Sequence, residues 1–269
     1  MTYKPRLLRE TAEIAFTEIK RFIEPRLRED FSLRRVSAPL YLPVGSPLLP
    51  PWAPGARVRL EAAKHDVEIV GALDLWLRDQ LTRNDIAPGF GVFTIMNALR
   101  PDLPENLTSS PYVAAWAWQQ ATDRADARPA GMITMARKVH SLLIETDSMI
   151  LSLFPHLQST LSTHLEEVDE NDLASLYPAY DHDRRIYERM RPDAKADDRP
   201  RSLLFVWRRF EGCIAFGELW AWNRIISRPV MLADFAARDA DAIAGPSLGG
   251  NIYRQTLALQ LLHLDRFLL

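Results

Sequence analysis

Apolar and polar positions alternate along this chain with two periods. Over residues 7–27, Ala12, Ile14, Ala15, Ile19, Phe22 and Ile23 recur at helical spacing with charges between them, which predicts an opening helix that Pro25 ends or bends. A strand is expected over 32–37. Residues 69–118 organise the rest. Strands are expected over 57–60 and 67–70, a short helix over 73–81, and strands over 92–99 and 112–118, where β-branched and aromatic residues gather. Period two places Ala114, Trp116 and Trp118 on one side of the last strand, and Ala115 and Ala117 on the other. Residues 131–153 predict a long helix whose methionines pack in the core, continuing helically over 156–163.

Further on, 203–207, 213–216 and 218–222 read as strands, and 230–244 as a helix. G-P-S-L-G-G at 245–250 reads as a tight glycine turn, and 252–269 as a leucine-rich helix that packs on the sheet or on another subunit. Residues 45–55 hold four prolines, which excludes a central strand or helix interior and leaves a stiff loop, either a plain connection or a lid over a pocket. Residues 190–200 are charged and proline-containing and read as a mobile linker. Helices grouped around a largely antiparallel sheet give an α+β fold, expected as one domain over all 269 residues.

Composition narrows the function classes. Net charge is −2 and charged residues make up 25%, so no basic excess points to nucleic acid or an anionic membrane. No apolar run nears the roughly 20 residues that span a bilayer, and the first ten lack the apolar core of a signal peptide, so a cytoplasmic protein is expected. The single cysteine, Cys213, excludes an intrachain disulfide and reads as a buried thiol. The acidic run near residues 166–172 lacks the alternation and glycine hinge of a calcium loop and reads as a solvated face. Asp181, His182 and Asp183 stand on a polar turn and read as exposed rather than as metal ligands. There is no P-loop, no G-x-G-x-x-G and no local serine or cysteine triad.

Several blocks carry a resemblance: V-S-A-P-L-Y-L-P-V-G (36–45), L-D-L-W-L-R-D-Q-L (73–81), G-V-F-T-I-M-N-A-L-R-P-D (91–102) and Y-V-A-A-W-A-W (112–118). They continue in D-L-A-S-L-Y-P (172–178), G-E-L-W-A-W-N (217–223) and G-G-N-I-Y-R-Q-T-L (249–257). In order and spacing the chain resembles ammonia-dependent asparagine synthetases (aspartate–ammonia ligases), whose catalytic domain is similar to class II aminoacyl-tRNA synthetases. The resemblance implies that fold, activation of a carboxylate as an acyl-adenylate with ATP and magnesium, attack by ammonia, and a dimer. It places Arg100 and Glu218 as catalytic residues, Glu218 also as the metal ligand, and Arg100, Glu105 and Arg254 on the nucleotide. The motif 3 arginine itself falls at Thr256, and Leu103 and Pro104 precede Glu105.

The departures concern the amino-acid subsite. The acidic residue after V-G is Ser46. The family's H-S is Gly71-Ala72, the lysine of W-K-R is Leu77, and D-Q-W-D is Ala114-Ala115-Trp116-Ala117. A zwitterion needs charged partners, and each one missing costs on the order of 1–3 kcal/mol. The expected cleft is wider and more apolar, lined by Ser46, Gly71, Ala72, Leu77, Ala115, Trp116, Ala117 and Trp118. Three functions stay open: activation of another small carboxylate, a non-catalytic paralogue needing no cofactor, and an authentic aspartate–ammonia ligase. The partner classes are a small carboxylate and a second copy or related synthetase-like chain.

Overall fold

The computed structural model describes residue 7 and residues 9–60, 65–102, 111–123, 129–159, 161, 163–190, 203–210, 213–221, 230–235 and 246–253. In chain order the elements are α1 (Arg9–Glu29), β1 (Leu33–Arg35), β2 (Tyr41–Pro43), β3 (Ala56–Leu60), β4 (His65–Ile69), α2 (Asp74–Arg83), β5 (Gly91–Leu99), β6 (Tyr112–Ala121) and α3 (Pro129–Leu153). They continue with β7 (Glu166–Asp169), α4 (Glu170–Leu176), α5 (His182–Met190), β8 (Leu203–Phe210), β9 (Cys213–Ala221), β10 (Val230–Phe235) and β11 (Ser247–Tyr253).

Eight strands form the main sheet in the order β1-β5-β6-β11-β10-β9-β8-β7. Only the outer pairs β1–β5 and β7–β8 are parallel; every inner pair is antiparallel. A small antiparallel sheet, β2-β4-β3, leads into α2. The expected α+β class with a largely antiparallel sheet is therefore the observed one.

The main core lies on one face. From α1, Ala12, Ala15, Phe16, Ile19, Ile23 and Leu27 turn inward at spacings of three and four, and α3 adds Met132, Met135, Ala136, Val139, Leu142, Leu143 and Ile150. They meet Phe93, Trp116, Trp118, Leu219, Val230, Leu232, Leu248 and Ile252 of the sheet. Pro25 neither ends α1 nor marks its boundary: the helix runs to Glu29, because Leu27, fully buried, still packs one turn later. The α3 methionines are core residues, as their spacing indicated.

Four local expectations are corrected. Residues 156–159 do not continue α3; the chain turns after Leu153, and Leu157 packs back on the core. Residues 230–235 are strand, hydrogen-bonded on both sides to β9 and β11, and 236–244 lie outside the described residues. The glycines at 249 and 250 are not in a turn but inside β11, where a Cβ would fall 2.3 Å from the Trp118 carbonyl oxygen and 2.1 Å from that of Met231. Ile252 and Tyr253 end that strand, and the leucine-rich remainder, like the linker over 191–200, lies outside the described residues.

Phe93 is fully buried between α1, α3 and the tryptophans. Phe93→Ala is expected to lower unfolding free energy by about 3–5 kcal/mol, read from urea denaturation monitored by circular dichroism.

Candidate functional site

The second face of the main sheet is covered at its two ends and forms the site between them. At the β5–β6–β11 end sits α2, whose Leu77 and Leu81, with Leu73 just before it, pack on Val92, Met96, Ala98, Val113, Ala115, Ala117 and Tyr253. At the β7–β8–β9 end sit α4 and α5, held by a small apolar cluster of Leu173 and Ile186 with Val168, Tyr177 and Trp220. One transverse row of the sheet joins the two: Thr94, Ala117, Asn251, Met231, Glu218 and Val206 are register partners in turn. Ala117 to Glu218 is three strand spacings, roughly 14 Å.

Arg100 stands at the end of β5. Its backbone N–H donates to the Pro111 carbonyl at 2.7 Å. Its Nε and Nη2 donate to Asp102 Oδ1 and Oδ2 at 2.8 and 2.7 Å, a two-pronged ion pair that holds the guanidinium firmly charged against its partial burial. Gly71 lies against it. A Cβ there would fall 2.3 Å from the Ala53 carbonyl oxygen and 2.9 Å from Arg100 Cδ. The bare backbone at 71 thus lets the proline-rich loop close on the arginine stem. That loop is pinned at its far end, where the Gly55 N–H donates to Glu68 Oε1 at 2.8 Å and Ala53 is buried. Ser46 sits half-buried in its opening turn, with Oγ accepting from the Leu48 N–H at 3.3 Å.

The expected lining residues divide between the two faces. Leu77, Ala115 and Ala117 share one fully buried apolar cluster on the α2 side, and Ala72, at 4% exposure, is buried beside Gly71. Trp116 and Trp118 point the other way, into the α1–α3 core, so they do not wall the site; the pleat that separates them from Ala115 and Ala117 settles this. Glu105 and Arg254 lie outside the described residues.

Polar residues that local patterns did not single out also face this side. Asp74, on the first turn of α2, accepts from Asn251 Nδ2 at 3.2 Å. Burial pushes its carboxyl above the ordinary value, and the Asn251 hydrogen bond and the Arg100 and Arg78 charges offset part of that. Buried Arg78 donates from Nε to Ser247 Oγ at 3.1 Å. Gln119 is fully buried over Gly249, where a Cβ would lie 2.5 Å from its Nε2. These contacts span up to 177 residues of sequence, which is why no local motif announces them.

Glu218 faces the same side from β9, and it is engaged. Its Oε2 lies 2.8 Å from His182 Nε2 and accepts from Trp220 Nε1 at 3.1 Å. His182 Nδ1 lies 3.0 Å from Glu170 Oε1. His182 is therefore turned inward between two acids rather than exposed on its turn, and Glu170 belongs to this contact rather than to a solvated face. The donor set does not fit a resident magnesium at Glu218. That ion takes oxygen ligands in octahedral order, whereas this oxygen already serves an imidazole and an indole. Among the described residues no three histidine, cysteine, aspartate or glutamate side chains converge on a metal position.

A family model described as aspartate-ammonia ligase matches residues 10–195. The chain belongs to the aspartate–ammonia ligase family. The ligase of Clostridium perfringens (strain SM101 / Type A) is 32% identical over 181 residues, covering 65% of this chain and 54% of that protein. That of Bacteroides thetaiotaomicron is 28% identical over 180 residues, covering 65% and 52%. The chain thus spans about half the length of the curated relatives it matches. Among solved structures, asparaginyl-tRNA synthetase of Entamoeba histolytica, in complex with asparaginyl-adenylate, superposes with a TM-score of 0.62 at 9% identity over 96% of this chain and 65% of that one. The Pyrococcus horikoshii enzyme, also complexed with asparaginyl-adenylate, gives 0.61 at 10% identity over 94% and 66%. These likenesses establish the class II synthetase fold of the chain.

Two measurements check the site. Because the folded-state pKa of Asp74 is raised, its ionisation opposes folding. Its contribution to stability is fully present below about 3.8 and is lost as pH rises through the raised value. Asp74→Asn is expected to flatten that part of the stability–pH curve, with wild type losing more than the variant on going from pH 4 to 7. Gly71→Ser is expected to loosen residues 53–55, read as faster amide exchange of Gly55 than in wild type.

Proposed function

We propose that this aspartate–ammonia ligase family member activates a small carboxylic acid less polar than aspartate with ATP, for transfer to an amine. One observation carries the reading. Leu77, Ala115 and Ala117, which stand where the family has lysine, glutamine and aspartate, form a single buried apolar wall, while Arg100 is kept at the neighbouring strand end. An apolar wall rewards burial of hydrocarbon at about 25 cal/mol per Å² and offers an aspartate side chain nothing to bond to.

In this reading a carboxylate oxygen of the acid attacks the α-phosphorus of ATP and pyrophosphate departs. The amine then takes the acyl group and AMP leaves. Arg100 holds the anionic end of the reacting pair, since its planar fork matches a phosphate or carboxylate and Asp102 keeps it oriented until that anion arrives. The sheet face between α2 and α4–α5 supplies a fixed floor for the encounter. Arg254 and Glu105 join Arg100 on the nucleotide in this proposal. Support comes from the family and from the two structural neighbours, whose bound ligand is an aminoacyl-adenylate.

A second reading, a non-catalytic paralogue acting beside another synthetase-like chain, is favoured by one feature. The same three apolar residues pack fully among Leu73, Val92 and Met96, and this packing needs no ligand to complete it.

Pyrophosphate–ATP exchange across a panel of apolar, aromatic and acidic carboxylates, aspartate included, separates these. Exchange with an apolar or aromatic acid and little with aspartate is expected. Arg100→Ala should lower that exchange by about 10²-fold or more with the circular dichroism spectrum unchanged. Exchange with no acid, together with no heat of ATP binding in calorimetry, favours the paralogue. Preference for aspartate restores the authentic ligase.

A further inference from the structure

We infer that Gln119 and Asn251 form a subsite on this face for a neutral primary carboxamide. Binding there does not depend on the activation reading and goes beyond it.

The subsite is a patch of four residues. On β6, Ala117 and Gln119 share the face toward α2, and their register partners on β11 are Asn251 and Gly249. The two amides therefore stand on one diagonal of the patch, with Cβ atoms roughly 7 Å apart, and the two smallest residues stand on the other. Gln119 is fully buried, and neither its Nε2 nor its Oε1 has a hydrogen-bond partner. Asn251, also buried, donates from Nδ2 to Asp74 at 3.2 Å and leaves Oδ1 without a partner. α2 is tied to both ends of the patch rather than to its middle. Asp74 holds Asn251 and Arg78 holds Ser247, while the Gln119 amide lies over Gly249, midway between those two anchors.

The unpartnered atoms fix the chemistry of the ligand. Two carbonyl oxygens call for donors and one amide NH2 calls for an acceptor, and polar groups this deeply buried are rarely left unpaired. A carboxylate brings no donor, an ammonium no acceptor, and a hydroxyl a single O–H. A primary carboxamide brings two N–H donors and a carbonyl in one planar group. It fits whichever way the protein amides are turned. Gln119 offers the same set with its oxygen and nitrogen exchanged, and with Asn251 turned the other way, its oxygen on a protonated Asp74, the ligand carbonyl accepts from the Asn251 NH2. Ala115, Ala117 and Leu77 extend the patch as apolar surface for the hydrocarbon that carries the amide. Met231, half-buried and paired with Asn251 on the side away from β6, forms the mouth, and its unbranched side chain can swing aside. The group held here is not the one that reacts at Arg100. Gln119 stands seven positions along β6 from Tyr112, the partner of Leu99, so roughly 23 Å of strand separates the two ends.

Titration of the full chain with butanamide, butanoate and butylamine tests this. Proton–nitrogen NMR follows the side-chain NH2 signals of Gln119 and Asn251, assigned in wild type by their contacts with the Ala117 methyl group. Butanamide is expected to shift both signals and to bind about 10-fold or more tighter than either charged analogue. Gln119→Leu should remove that preference, and Gln119→Glu, which puts an acceptor where the donor was, should turn it toward butylamine. Equal affinity for the three compounds, shifts at neither amide, or a preference that survives Gln119→Leu overturns the proposal. Cross-peaks from both NH2 groups to a long-lived water, unaltered by butanamide, identify a buried water as the occupant and overturn it as well. The wild-type titration decides even where a variant does not fold. The amide arrives either free or as the tail of an acid that is itself activated. Pyrophosphate exchange with ω-carbamoyl alkanoates of increasing length, each against the alkanoate of equal length, distinguishes these sources. Faster exchange with the carbamoyl acid, lost in Gln119→Leu, makes the amide the tail of the substrate. Butanamide binding without exchange by any acid leaves the subsite standing and faults the activation reading alone.

Discussion

β6 carries two indoles on one face of the main sheet and two methyl groups on the other, and period two permits no other arrangement. Trp116 and Trp118 fill the space under α1 and α3, and with Phe93 they anchor the largest core of the chain. Their burial fixes the height of β6, and the hydrogen-bonded register with β5 and β11 transmits that height to Arg100 at one side and to Asn251 at the other. The site face inherits its geometry from packing on the opposite face. The residues that hold the strand in place alternate with Ala115 and Ala117, so side chains can differ on that face without disturbing the core that positions the strand.

That separation also explains what could be read from the chain alone. The α+β class, the long helices, the strands over 92–99 and 112–118 and the two-faced character of β6 follow from local periodicity, and the structure reproduces them. The misreadings occur where long-range pairing overrides a local tendency. V-M-L-A-D-F-A-A-R-D-A has the alanines and charges of a helix, yet residues 230–235 are locked into the sheet by β9 on one side and β11 on the other. Gly249 and Gly250 suggested a turn because glycine usually marks one. In the structure they are smooth strand, needed because a side chain at either would collide with a neighbouring strand's carbonyl. Pro25 is tolerated inside α1 since Ile23 and Leu27 bury themselves on either side of it.

For the site the balance differs. Arg100, Leu77, Ala115, Ala117 and Glu218 were legible through a resemblance that fixes positions, and the structure sets all five on or beside one face. Glu218 was read as a metal ligand, and nothing local contradicted that, because its partner His182 lies 36 residues away on another element. Asp74, Asn251, Arg78 and Ser247 were invisible for the same reason. Buried polar pairs are contracts between distant segments; each half alone looks like a surface residue that has strayed into an apolar run.

The distribution of charge follows from the cost of burying it. An acid beside a buried apolar face must find a protein partner or take up a proton. Asp74 and Glu218 answer differently. Asp74 is buried beside β11, and although the Asn251 amide, a backbone N–H and the Arg100 and Arg78 charges compensate in part, burial raises its pKa. Glu218 lies at the α4–α5 end, beside the cluster of Leu173 and Ile186 with Val168, Tyr177 and Trp220, and there an imidazole and an indole engage it. His182, at the start of α5, lies between Glu170 at the start of α4 and Glu218 on the sheet, so one side chain links both helices to β9. Placing the helices and engaging the Glu218 carboxylate are two consequences of the same imidazole, and removing it would disturb both at once.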